Sequence, residues 1–509
     1  MVMAEQQFAA LAETHSAVVY FAGDRAFKLK KPVRLEFLDF STRQSRAVAC
    51  AREIELNRQF APDVYLGVAE VRGPDGQVCD HLVVMRRMPA SRRLSALIEA
   101  REPVGPAVRQ VARILATQHA TASRSAQISQ QGSRDATWQR WHDNIDQLRA
   151  AARDDLVPDA EIKEAGRLAD RFLAGRAELF DARIRSGRIV DGHGDLLAGD
   201  IFCLDDSPRI LDCLDFDDKL RWVDGLDDAA FLAMDLEQLG APDLARQFIR
   251  WYSEYSGDPA PAALRQHYVA YRATVRAKVA CIRGRQGDGA APGEARQLLA
   301  TALRHLRAGA VTLVLVGGPP GTGKSGLAGA IADQLGFTVL NSDRIRKELA
   351  GIEPDQHVHA DYGTGIYTQS WTQRTYAEIA SRAIVLLGFG ESVLLDATWT
   401  SGRHRQVATA AADRAAADLV QLRCSAPLPV AANRVSGRIG GESDATPTIA
   451  ARLAAEQEPW PEATVIDTAD ESGLTDGSPP DPVRLALEAI RPHGPEHLWR
   501  PVRPYMAPD

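Results

Sequence analysis

Eight consecutive residues constrain this 509-residue chain more than any other feature: Gly318-Pro319-Pro320-Gly321-Thr322-Gly323-Lys324-Ser325. They satisfy G-x-x-x-x-G-K-[ST], with a β-branched run at 311–316 before them and a helix-compatible stretch at 325–335 after. Strand, glycine turn and helix in that order form the first unit of a parallel α/β sheet. The glycines let backbone N–H groups turn inward at the positive end of the helix, where they suit phosphate oxygens. Lys324 adds a point charge for the β/γ oxygens, and Ser325 a hydroxyl able to ligate Mg²⁺. The nucleotide contacts expected here are Gly318, Gly321, Thr322, Gly323, Lys324 and Ser325. A chance glycine-rich turn is the alternative, and the matching flanks argue against it.

The same alternation continues. Strands are expected at 338–340, 392–395 and 418–423, and helices at 343–349, 367–387 and 403–417, which implies a parallel sheet with covering helices. Asp396 ends its strand at the carboxyl edge of the sheet, where the ligand crevice of such folds lies, and there it could hold hydrated Mg²⁺. Asp343 and Arg346 form S-D-x-x-R, a carboxylate able to take a hydroxyl proton beside a cation able to orient the acceptor. Asp343 also suits a helix N-cap, and the two roles are compatible. Arg434 and Arg438 are four apart on one expected helix face, just before the glycine-containing loop 439–446. As lid residues they would neutralise a transferring phosphoryl group, but with 52 Arg against eight Lys in the chain a solvated face is an equal reading.

The glycine loop, N-S-D-R-I-R-K (341–347), L-D-A-T-W-T (395–400), Arg405, and R-x-x-x-R followed by S-D-A-T (443–446) resemble the small P-loop kinases. These are AAA-type ATP-binding proteins akin to gluconate kinase, polynucleotide kinase and zeta-toxin-like enzymes. The resemblance spans about 311–460. It implies Asp343 as general base, Asp396 as a magnesium-associated acid, and Arg434 and Arg438 as lid arginines. It fixes the phosphoryl donor and leaves the acceptor open.

The N-terminal half reads differently. Residues 17–22 and 25–31 flank the turn Gly23-Asp24 as a hairpin, followed by a helical pattern at 45–60 and a strand at 81–88. The stretch 104–180 is mostly helical, 188–216 returns to short strands, and helices are expected at 228–239, 242–255 and 268–282. In H-G-D-L-L-A-G-D (193–200), Asp195 can receive a substrate proton, while Asp200 and then Asp212 or Asp215 can bind metal. Lys28 suits a phosphate contact paired with Glu53, and Lys30, on the same strand face, is its rival. In this order the elements resemble aminoglycoside phosphotransferase and choline-kinase-like proteins over about 13–283, which implies a protein-kinase-like bilobal domain. Two departures stand out: Asp200 occupies the place of the family's Asn, and Leu197 that of its second His. An added carboxylate beside Asp195 tends to raise a neighbouring pKa, and leaves the N-terminal kinase altered or inactive. L-D-F favours Asp215 as the metal acid, while Asp212 offers the shorter spacing.

The expected fold is therefore α/β and α+β: a protein-kinase-like bilobal domain at 1–285, a linker and helix at 286–310, and a parallel-sheet P-loop NTPase domain at 311–509 with its C-terminal tail. The linker rests on R-G-R-Q-G-D-G-A-A-P-G-E (283–294), and each half is expected to fold separately. With 45% hydrophobic and 25% charged residues the chain reads as soluble and globular, and a net charge of −7 opposes general nucleic-acid binding. Six scattered cysteines argue against a zinc site or a disulfide framework, and no signal or membrane segment is visible, so a cytoplasmic location is expected. The expected activity is ATP- and Mg²⁺-dependent phosphoryl transfer to a hydroxyl, on a small molecule or a nucleic-acid 5′ end, chiefly by the C-terminal domain. An ATPase switch governing a sensing domain and a nucleotide-binding scaffold are the alternatives.

Overall fold

The computed structural model describes residues 8–13, 16–35, 38–152, 157–353, 356, 362–437, 444–469 and 481–490. The chain divides into two compact units: Met1–Lys163, Phe180–Ala260 and Tyr268–Ala302 make the first, and Glu164–Leu179, Pro261–His267 and Leu303–Asp509 the second. No helix among the described residues is long and apolar enough to cross a membrane.

The first unit opens with an antiparallel sheet in the order Ala9–Glu13, Ala17–Ala22, Arg25–Lys30, Val78–Arg86, Tyr65–Arg72. The expected hairpin forms with Ala17 opposite Lys30 and Ala22 opposite Arg25, and Gly23 supplies the left-handed turn at φ +56°. The two outer strands, Ala9–Glu13 and Tyr65–Arg72, were not expected. Helix Arg43–Asn57 starts where the Thr42 side chain accepts from the Ser45 N–H. It lays Cys50 and Ile54 against Val64, Tyr65 and Val83, and each buried aliphatic side chain there contributes roughly 1.5–3 kcal/mol. A helical portion follows, built around Gly225–Gln238, whose residues from Leu226 to Met234 are all buried. Two short antiparallel ladders, Ile189–Asp191 with Trp222–Asp224 and Ile201–Cys203 with Pro208–Ile210, flank the H-G-D segment. An antiparallel sheet followed by a mainly helical portion with short strands is the α+β organisation expected for this half.

The segment expected as a linker is shorter than its composition suggests. Helix Ala262–Arg285 runs into it and helix Ala291–Ala308 begins within it. Arg283 holds the turn between them, reaching Asp288 at 2.7 Å and Glu294 at 3.1 Å.

The second unit holds a five-stranded, wholly parallel sheet in the order Thr338–Asn341, Val393–Asp396, Thr312–Gly317, Asp418–Ser425, Thr464–Asp467. The central strand is buried along its whole length, as the unbroken apolar run at 313–316 requires of a strand covered on both faces. Val314, Val316, Leu327, Ile331, Leu394 and Ile466 form its core, and helix Asp481–Ile490 adds Val483, Ala486 and Ile490. Helix Leu428–Ser436 carries Arg434 as expected, while strand Thr464–Asp467 and helix Pro447–Ala455 were not expected. Glu164–Leu179 belongs to this unit through backbone contacts: Arg171 donates to Ala417 O at 2.9 Å and Arg176 to Ala415 O at 2.8 Å. A Cβ on Gly175 would lie 1.9 Å from Ala415 O, so only glycine fits there. Arg438 and most of the expected lid loop, 439–443, lie outside the described residues, as does 478–480 of the expected C-terminal coil.

Candidate functional site

In the second unit the glycine loop leaves the central strand and enters helix Lys324–Leu335. Gly318, Gly321 and Gly323 have φ of +133°, +85° and +79°. A Cβ at Gly318 would sit 2.6 Å from Cys424 O, and one at Gly321 2.3 Å from Ala431 O, so both positions demand glycine for space as well as for dihedral. Thr322 Oγ1 donates to Pro319 O at 2.8 Å, and Lys324 Nζ folds back over the loop to the same carbonyl at 3.2 Å.

Sheet register assembles the polar side of the site. Asp396 lies opposite Val316 on one neighbouring strand and opposite Asn341 on the other, which brings three sequence segments to one carboxylate. Ser325 Oγ donates to Asp396 Oδ2 at 2.6 Å and Asn341 Nδ2 donates to the same oxygen at 2.9 Å. Hydroxyl and carboxylate oxygens are the hard ligands Mg²⁺ takes, so the residues present fit that ion.

Asn341 also caps helix Ser342–Leu349, its Oδ1 accepting from the N–H groups of Asp343 and Arg344. The cap expected at Asp343 is therefore filled by its neighbour. Arg346 is buried at 7% exposure, with Nη1 donating to Ile366 O and Thr372 Oγ1 and its guanidinium 4.9 Å above the Tyr367 ring. Its Nε is buried with no hydrogen-bond partner among the described residues. Tyr367 donates to Asp444 Oδ2 at 2.7 Å; burial, that bond and the charge of Asp343 all raise its pKa. Tyr376 shares a 3.1 Å hydrogen bond with Thr398 and stacks on His404 at 4.1 Å. Asn341, Tyr367, Tyr376 and Thr398 were not singled out in the sequence, and only Asn341, a good cap directly before Ser-Asp, carried a local signal.

Two arginines sit apart from the Ser325–Asp396 pair. Arg405 spends its guanidinium on backbone carbonyls, Nη1 on Trp399 O at 2.9 Å and Nη2 on Pro459 O at 2.7 Å, bracing a loop in which Trp399 adopts φ +51°. Arg434 donates to Thr468 O at 2.8 Å, and Thr468 Oγ1 donates to Thr322 O at 2.7 Å, which places Arg434 beside the rear of the glycine loop. Its expected companion, Arg438, is not among the described residues.

In the first unit both lysine candidates converge on one acid. Lys28 Nζ lies 2.8 Å from Glu53 Oε1, and Lys30 Nζ 2.7 Å from Glu53 Oε2. Burial works to raise the Glu53 pKa, yet the two ammoniums outweigh it and hold it below the ordinary range. Lys28 also donates to Asp212 Oδ1 at 2.9 Å, and Lys30 to Asp215 Oδ2 at 2.6 Å. Asp215 is thus taken up by Lys30, while Asp212, in the left-handed region at φ +64°, is the acid whose charge bears on the H-G-D segment. Burial pushes the Asp200 carboxyl up to about 7, with Asp212 and Asp195 adding to the shift. Asp195 rises to about 6, again chiefly through burial. No group of three or more His, Cys, Asp or Glu able to hold a metal ion occurs among the described residues.

The residue that positions this segment is Asp228. Its carboxylate accepts from the backbone N–H groups of His193 at 2.7 Å and Gly194 at 2.8 Å and contacts His119 Nε2 at 3.0 Å; His119 Nδ1 in turn meets Tyr252 Oη at 2.8 Å. Burial opposes ionisation of Asp228, but these partners reverse the effect and lower its pKa well below the ordinary value. A Cβ on Gly192 would lie 2.5 Å from Asp228 Oδ2, which keeps that approach open. In D-G-L-D-D the other two acids serve as ion-pair partners: Asp224 binds Arg183, and Asp227 binds Arg272. Nothing in the spacing separates these roles.

Residues 313–459 match a family model described as an AAA domain. Uncharacterized protein Rv2004c of Mycobacterium tuberculosis is 45% identical over 465 residues, 91% of this chain and 93% of its own length, and protein Mb2027c of Mycobacterium bovis matches equally. Among solved structures, choline kinase from Cryptosporidium parvum is similar over 58% of this chain and 89% of its own, at 9% identity and TM-score 0.40. The Mycobacterium tuberculosis APS kinase is similar over 36% and 96%, at 20% identity and TM-score 0.24. With 45% identity sustained over nine-tenths of both sequences, and an AAA-domain match at 313–459, this chain belongs to the family of the mycobacterial protein Rv2004c.

Proposed function

We propose that the chain is an ATP- and Mg²⁺-dependent phosphotransferase acting on a hydroxyl acceptor, with its chemistry chiefly in the C-terminal unit. The observation that carries this reading is the 2.6 Å contact of Ser325 with Asp396 beside a glycine loop that tolerates no Cβ. The loop amides and Lys324 hold the β- and γ-phosphates, and Ser325 and Asp396 hold Mg²⁺, which when bound offsets phosphate charge. Asp343 takes the acceptor proton as the acceptor oxygen bonds to the γ-phosphorus and the bond to the β–γ bridging oxygen breaks, leaving ADP. Arg346, held against Tyr367, orients the acceptor. Arg434, beside the rear of the glycine loop, stabilises the charge of the nucleotide.

In the first unit Lys28 with Glu53 forms the phosphate-contacting pair, Asp195 is the base, and Asp212 with Asp200 forms the metal-associated pair in place of the Asp215 favoured by sequence. An Asp200 that titrates near neutrality, where relatives of this fold carry an uncharged amide, supports reduced or altered activity in this unit. The acceptor class, small molecule or polynucleotide 5′-hydroxyl, remains the variable of the experiment.

Incubating the full-length chain with γ-labelled ATP and a metabolite extract tests the reading. A labelled phosphomonoester supports it. Release of inorganic phosphate alone points to an ATPase switch, and nucleotide binding without turnover to a scaffold.

A further inference from the structure

A cavity of about 570 Å³ in the first unit has no part in the reading above. Gly105, Pro106, Arg109, Gln110 and Arg113 line it from helix Gly105–Thr121, and Gln247, Trp251 and Tyr255 from helix Pro242–Ser256. Its volume falls in the range of small-molecule sites, roughly 300–1,000 Å³. It lies near the start of a helix whose far end carries His119; ten residues separate Arg109 from His119, about 15 Å along the axis, which sets the cavity apart from the H-G-D segment.

The lining has a definite chemistry. Arg109 and Arg113 are four apart on one helix face, and the first turn of that helix, at Gly105 and Pro106, adds the positive end of its dipole. No carboxylate lines the cavity. The acids of the opposite helix are engaged with its own arginines, Asp243 with Arg246 and Glu254 with Arg250 at 2.9 Å. Arg109 Nε donates to Tyr255 Oη at 2.8 Å, and its guanidinium stands 6.0 Å from the Trp251 ring, so one wall is ordered before any ligand arrives. Two guanidiniums suit a phosphate, the Trp251 and Tyr255 rings suit a planar heterocycle, and the Gln110 and Gln247 amides can pair with its edge.

We infer that this groove is a binding site for a nucleoside monophosphate, separate from both phosphotransferase sites. Photolabelling of the full-length chain with 8-azido-AMP, followed by peptide mapping, tests this. Label is expected on peptides covering 105–113 or 247–255, reduced about tenfold by Arg113→Glu, an exposed change that leaves the Arg109–Tyr255 contact in place. Trp251→Phe is expected to keep labelling within a fewfold, since a ring face remains. Excess AMP should protect these peptides and excess adenosine should not. Label confined to the glycine-loop peptides, labelling indifferent to Arg113→Glu, or equal protection by adenosine would each overturn the inference. None of these outcomes depends on whether the chain turns over ATP.

Discussion

Asn341 accepts the backbone N–H of Asp343 at 2.8 Å while its amide nitrogen donates to Asp396 at 2.9 Å, so one side chain joins the cap of a helix to the carboxylate beside the glycine loop. The arrangement leaves Asp343 at the first turn of that helix without using it as the cap. Asp343→Asn should retain ATP affinity within a fewfold and lose acceptor phosphorylation by a factor of about 10² or more, because it removes a base and spares the phosphate cradle. Asn341→Ala should instead destabilise the unit by about 1 kcal/mol and weaken Mg²⁺ dependence. Titration calorimetry and product assays on both variants separate the two effects.

Lys324→Ala should remove most nucleotide turnover of the full-length chain, since the ammonium faces oxygens whose charge grows as the γ-phosphoryl departs. Gly321→Ala should do so by a different route, misfolding the loop against Ala431 O. Turnover near wild type in Lys324→Ala would move the working site to the N-terminal unit.

Asp200 gives a stability effect of definite sign. Its folded-state pKa is raised from 3.8 to about 7, so between those values the folded state binds more protons than the unfolded one, and stability falls as pH rises. Asp200→Asn should therefore stabilise the metal-free protein at pH 8 and change little at pH 4. Denaturant titrations at the two pH values, followed by a probe in the first unit, check this. A variant less stable at pH 8 would mean that the charge is paired in solution.

Asp228→Asn should cost roughly 3 kcal/mol or more, because it strips the charge accepting the His193 and Gly194 amides in a fully buried site. The loss should appear as faster amide exchange across 193–195, with Lys324-dependent turnover unchanged.

A fragment beginning at Ala295 lacks Glu164–Leu179 and Pro261–His267, which belong to the second unit. It should be less soluble and less stable than its sheet suggests, since Ala415 and Ala417 lose the Arg176 and Arg171 donors. Supplying 164–179 in trans, or measuring the full chain cut near Gly289, distinguishes a missing segment from an unfoldable domain.

The glycine loop, the alternating strands and helices after it, and the Lys28 hairpin were legible in the sequence because each is a local signal: dihedral demand, periodicity, turn chemistry. Asp396 was legible for the same reason, as the acid ending an apolar run. What the sequence left open was decided by register and burial. Spacing favours Asp212 and local context favours Asp215, and the fold gives the first to Lys28 and the second to Lys30. Three acids of D-G-L-D-D look alike on paper, yet burial against Arg183, Arg272 and the His193 amides assigns each a different partner. Arg405 belongs to the motif pattern in the sequence with no role attached, and only the fold shows its donors given to the carbonyls of Trp399, Thr400 and Pro459. The physical reason is common to all of these: a loop motif specifies its own backbone, but the partner of a charged side chain is chosen by whatever the tertiary fold brings within about 3 Å, across separations that no local pattern spans.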